Sequence, residues 1–149
     1  MFGNTRTLVT RSALLLAAAA VLGACSDSTG PEEHREAAGM VITNQNNTVL
    51  ASVNAARQVT GSLTVAAGQA QHLEVYFVDE NGVRFQLEDD DEHALDWTVA
   101  NEAVATIDAH EGHLDLDGVA AGNTTVVFSI LHGNHSDYDS PPIPITVTP

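Results

Sequence analysis

The apolar positions change their pattern twice along the chain. Residues 14–22 (LLLAAAAVL) form an unbroken apolar run, whereas residues 26–38 (SDSTGPEEHREAA) keep no apolar periodicity at all. Beyond them the apolar residues come in short groups, several of which alternate with polar ones: Leu73, Val75 and Phe77 interleave with His72, Glu74 and Tyr76. Period two is the mark of a strand with one buried face. This reading predicts strands at residues 40–42, 49–53, 62–65, 71–78, 83–85, 95–99, 104–107, 113–116, 124–131 and 143–147. Residues 44–47 (NQNN) have the composition of a turn, and Asn81-Gly82 favours a tight hairpin. A turn signal falls roughly every ten residues and no segment sustains a helical period, which predicts an all-β sandwich or barrel. Trp97, the chain's only tryptophan, sits in a predicted strand and is expected to anchor the core of a sandwich. Residues 39–55 are expected to form an extra hairpin ahead of it.

The first apolar run has a different purpose. Arg6 and Arg11 precede it, and Gly23-Ala24 places two small residues before Cys25, the only cysteine. The run is shorter than the roughly 20 apolar residues that a membrane span requires, and no later segment reaches that length. It reads as an export signal that is removed. The stretch Leu22-Gly23-Ala24-Cys25 resembles the lipobox of bacterial lipoproteins. That resemblance implies cleavage before Cys25, lipidation of Cys25 and, with Ser26 following, the outer membrane as the destination. The expected organisation is a signal peptide over residues 1–24, a lipidated flexible tether over 25–38 and a sandwich domain over 39–149.

Removing the signal makes the protein more acidic. The formal charge of the whole chain is −15, and Arg6 and Arg11 are the only charged residues before Cys25, so residues 25–149 carry −17. No lysine occurs. Such a surface repels nucleic acid and anionic headgroups and concentrates cations. The expected membrane contact is therefore the lipid anchor alone. With its one cysteine committed to lipid the domain has no disulfide, so a core, or a core with bound metal, must stabilise it.

Three segments carry a family resemblance. They are Trp97-Thr98-Val99-Ala100-Asn101-Glu102-Ala103-Val104-Ala105-Thr106-Ile107, Gly118-Val119-Ala120-Ala121-Gly122-Asn123-Thr124-Thr125-Val126, and the closing Ile145-Thr146-Val147-Thr148-Pro149. Together with the upstream Leu63-Thr64-Val65-Ala66-Ala67-Gly68 and Asp79-Glu80-Asn81-Gly82, they resemble the group 2 bacterial immunoglobulin-like domains over about residues 59–149. The resemblance implies an immunoglobulin-like β-sandwich and a role in adhesion, surface display or ligand binding, with a protein or glycan as partner. Residues 132–142 (HGNHSDYDSPP) depart from the pattern as a lengthened loop before the last strand.

The candidate chemistry lies in the histidines. His110 and His113 have the same spacing as His132 and His135, and Asp137 and Asp139 follow the second pair. Imidazole with carboxylate is a ligand set for Zn²⁺ or Cu²⁺. The expected metal site gathers His110, His113, His132, His135, Asp137 and Asp139 at one end of the sandwich. His72 and His93 are weaker candidates for such a site and read as exposed. Ca²⁺ is the weaker candidate ion: Asp115-Leu116-Asp117-Gly118 lacks the remaining ligands of a calcium loop, and residues 88–92 (EDDDE) read as solvated charge. No nucleophile elbow, phosphate loop or His-Glu-x-x-His motif is present, so no catalytic residue is assigned. The expected function is a non-catalytic binding or structural lipoprotein, with metal binding second and a metallohydrolase a distant third.

Overall fold

A computed structural model describes residues 35–87, 93–110 and 112–149; the signal segment, Cys25 and the acidic stretch 88–92 lie outside the described residues. The described residues form twelve strands: β1 (Gly39–Thr43), β2 (Val49–Val53), β3 (Val59–Gly61), β4 (Leu63–Ala66), β5 (Ala70–Val78), β6 (Arg84–Phe85), β7 (His93–Val99), β8 (Ala105–His110), β9 (His113–Gly118), β10 (Gly122–His132), β11 (His135–Asp139) and β12 (Ile143–Thr148). No helix occurs among them. The expected all-β sandwich is borne out.

The first sheet runs β3-β2-β1-β5-β9-β8, with β6 pairing the far end of β5. The second is built on β10. Val126 pairs with both Val99 of β7 and Ile143 of β12, so β7 takes one edge of β10, and β12 and then β11 take the other. Buried Ser140 bridges the gap between β11 and β12: its N–H donates to Phe128 O at 2.8 Å and its Oγ accepts from Phe128 N at 3.0 Å. β4 closes this sheet in parallel with β12.

Alternation decides which residues fill the space between the sheets. Met40 and Ile42, Leu63 and Val65, Leu73, Val75 and Phe77, Leu114 and Leu116, Val126, Phe128 and Ile130, and Ile143, Ile145 and Val147 are all buried, each spaced by two along its strand. Sheets packed face to face draw their core from such positions. The residues between them face outward.

Three hairpins share one local device. Asn44 Oδ1 accepts from the N–H groups of Asn46 and Thr48, Asp79 Oδ1 from those of Asn81 and Val83, and Asn54 Oδ1 from that of Gln58. A short side-chain oxygen thus replaces a backbone acceptor in the turn, as Asx turns do. The expected hairpin of residues 39–55 is present as β1 and β2, and it is built into the domain: β1 lies between β2 and β5.

Two local expectations differ from the structure. Trp97 is only partly buried at the margin of the core, where Nε1 donates to Ile107 O at 3.1 Å; the large fully buried rings are Phe77 and Phe128. An indole needs an acceptor for its N–H, and the edge of the core provides one. The lengthened loop of residues 132–142 contains a strand, β11. Tyr138 holds it by burying its ring edge-on against Phe77, with centroids 5.6 Å apart.

Candidate functional site

Each histidine pair flanks a two-residue hairpin turn. Residues separated by three positions point different ways within one strand, but on either side of such a turn they become direct cross-strand partners on one face. His110 pairs with His113 and His132 with His135. Gly112 (φ +79°) and Gly133 (φ +57°) supply the left-handed backbone these turns need. The ring centroids stand 5.4 Å apart in the first pair and 5.1 Å in the second.

The first pair lies on the outer face of the first sheet. On β9 the buried Leu114 and Leu116 alternate with His113, Asp115 and Asp117. Asp115 Oδ2 is 3.4 Å from His110 Nε2 and Asp115 Oδ1 is 3.8 Å from His113 Nε2. His72 stands opposite Asp115 on β5 and stacks on His113 at 4.1 Å. Its shielded Nε2 has no hydrogen-bond partner among the described residues and lies 3.5 Å from Glu74 Oε1. Beside this group, burial and then Asp108 raise the carboxyl of Asp117 above its ordinary range.

The second pair lies on the inner face of the second sheet. His132 follows Val126, Phe128 and Ile130 on the core-facing side of β10, and on β7 Leu95 pairs with Ile130 while His93 pairs with His132. His93 and His132 thus form the last rung of the core ladder, with centroids 4.6 Å apart. A bulge in β11 completes the group. Leu131 pairs with Ser136 and Ile130 with Tyr138, which leaves Asp137 as the extra residue. Bulges re-aim side chains in this way. Asp137 Oδ2 lies 3.6 Å from His93 Nε2 and 3.5 Å from His132 Nδ1, and Oδ1 lies 3.0 Å from His135 Nε2.

Two groups of possible ligands therefore arise among the described residues: His72, His113 and Asp115, and His93, His132 and Asp137, the ligand atoms of each lying within 4.8 Å of one another. His110 adjoins the first group through Asp115, and His135 adjoins the second through Asp137. The structure puts the two sequence-identified pairs on different sheets. It points Asp139 elsewhere: Asp139 Oδ1 accepts from Ser129 Oγ at 2.6 Å and from Ser136 Oγ at 2.8 Å, and these bonds, Ser129 first, hold its carboxyl below the usual range.

The reading of His72 and His93 as exposed does not hold, since their side chains are 26% and 15% exposed. Sequence reasoning ranked them only as weaker candidates and gave Asp115 no part with the histidines, because cross-strand register is what brings these residues together. The Glu-Gly and Gly-Asn between the paired histidines were the local signal for two-residue hairpins.

Comparison with known proteins bears on the fold. Domains 4 and 5 of the S-layer protein SbsC are 23% identical, with a TM-score of 0.42, the alignment covering 60% of this chain and 49% of that one. Domains 5–6 of the same protein give 23% identity and a TM-score of 0.42, covering 60% and 40%. The chain thus spans half or less of the length of these structures. No curated protein gives a significant match. The family model of the group 2 bacterial immunoglobulin-like domain matches residues 52–136, more than half of the chain, from β2 through the His132–His135 hairpin. The chain belongs to the group 2 bacterial immunoglobulin-like domain family.

Proposed function

We propose that this protein is an exported lipoprotein of the cell envelope, held by lipid on Cys25 to the outer membrane, whose sandwich is a non-catalytic binding or structural module at the cell surface. Membership of the immunoglobulin-like family carries the reading of the module, and Leu22-Gly23-Ala24-Cys25 behind a charged and apolar leader carries the reading of the anchor. Fold alone leaves the partner open, and a protein or glycan suits a surface of charge −17 better than nucleic acid does. The test is metabolic labelling with radioactive fatty acid followed by fractionation. Wild-type protein takes up label and sediments with membranes after a high-salt wash; Cys25→Ala does neither. Equal membrane association of the two proteins contradicts the reading.

A second reading, binding of a divalent metal such as Zn²⁺ or Cu²⁺ by the histidine hairpins, is favoured by the two groups of imidazole and carboxylate. Its test is a thermal melt with Zn²⁺, Cu²⁺, Ca²⁺ or chelator. A ligand that binds only the folded state must raise stability, so a melt that no ion moves contradicts it.

A further inference from the structure

We propose that His93, His132, His135 and Asp137 form one site for a transition-metal ion of the Zn²⁺ class. The proposal rests on the second reading above and assigns its ligands, which come from three strands of one sheet.

The donor set selects the class of ion. Three imidazoles with one carboxylate suit Zn²⁺ and its neighbours, whereas Ca²⁺ and Mg²⁺ take oxygen ligands. The spacing fits for the inner three ligands. Ligand atoms about 2.0–2.1 Å from a tetrahedral Zn²⁺ stand about 3.3 Å from one another. His93 Nε2 and His132 Nδ1 stand 3.6 and 3.5 Å from one oxygen of Asp137, Oδ2, in a group whose ligand atoms all lie within 4.8 Å of one another, and His135 Nε2 reaches the other oxygen, Oδ1, at 3.0 Å.

The scaffold holds these groups without a long loop. His93 and His132 are fixed by the β7–β10 ladder, and His135 by its pairing with His132. Asp137 is aimed by the bulge, where Ser136 Oγ lies within hydrogen-bond reach of Ile130 O, Tyr138 O and Asp139 Oδ1. Strand positions with a locked neighbour place ligands better than mobile loops do. The group around Asp115 is built differently: it lies on an outer sheet face with His72, Asp115 and His113 each partly buried, whereas in the proposed site His93 is the most buried ligand, at 15% exposure, and His135 the most exposed, at 66%.

The experiment titrates the purified full chain with Co²⁺, a spectroscopic stand-in for Zn²⁺, and then displaces it with Zn²⁺. The wild type should bind one tight Co²⁺ with the intense visible absorption of a four-coordinate ion. His93→Ala should weaken binding by more than about 100-fold, beyond the 10–100-fold that loss of an outer hydrogen-bond partner causes. Asp137→Asn, which conserves shape, should do the same with an unchanged far-ultraviolet circular dichroism spectrum, and it decides the matter if His93→Ala does not fold. His72→Ala and His110→Ala should stay within a few-fold of wild type. Tight binding that survives His93→Ala and Asp137→Asn but is lost in His72→Ala or His110→Ala overturns the proposal and leaves the metal reading standing. No binding of Co²⁺ or Zn²⁺ by the wild type overturns both.

Discussion

His132 and His135 face each other across the two-residue turn between β10 and β11, with ring centroids 5.1 Å apart. The same relationship joins His110 to His113, so one piece of hairpin chemistry produces both pairs. The turn should therefore control the pair. A Cβ at Gly133 would meet no atom within 4 Å, yet φ is +57°. Gly133→Ala should cost about 1 kcal/mol through backbone strain alone, read as a shift of the urea midpoint with an unchanged slope. An unchanged midpoint would mean that the turn does not hold this conformation.

Phe128 and Trp97 are cross-strand partners with unequal burial, the first fully buried and the second at the margin of the core. Deleting a buried aromatic ring costs about 3–5 kcal/mol, and the cost grows with the cavity left behind. Phe128→Ala should thus lower the melting temperature more than Trp97→Ala. The reverse order would place the centre of the core at the wrong ring.

The inner face of the sandwich was legible because alternation is local: Leu73, Val75 and Phe77 announce their burial within five residues. β3 and β11 were not legible. β3 is three residues long with one large apolar side chain, and the bulge at Asp137 breaks the period of β11, whose only large apolar residue is Tyr138. The pairing of histidines across short turns could have been read from Gly112 and Gly133. Their partners His72, Asp115 and His93 could not, because which strand lies beside which is settled by the whole core and not by neighbours in sequence.

Two aspartates should respond to pH with opposite sign. Burial and Asp108 raise the Asp117 carboxyl, so ionising it weakens the fold at neutral pH, and the penalty disappears as pH falls through its raised value. Ser129 and Ser136 lower the Asp139 carboxyl, so its contribution is present above the ordinary carboxylate value and is lost as pH falls through its lowered value. Melting temperatures across acid and neutral pH should show Asp117→Asn stabilised and Asp139→Asn destabilised at pH 7, both differences shrinking in acid. Differences that do not change with pH would contradict both assignments.

The Tyr138 ring is buried and its hydroxyl has no hydrogen-bond partner among the described residues. Burial also raises its ionisation above the ordinary value. An unpaired buried hydroxyl costs free energy, so Tyr138→Phe, which keeps the edge contact with Phe77, should be neutral or more stable by up to about 1 kcal/mol. A clear loss of stability in denaturant melts would reveal a hydrogen bond to that hydroxyl.

Membrane attachment through Cys25 is the central claim, and the mass of the first peptide of protein purified from membranes tests it most directly. The account predicts a peptide that begins at Cys25 and carries the added mass of lipid. A chain that begins at Met1, or an unmodified Cys25 at the mature end, would contradict it.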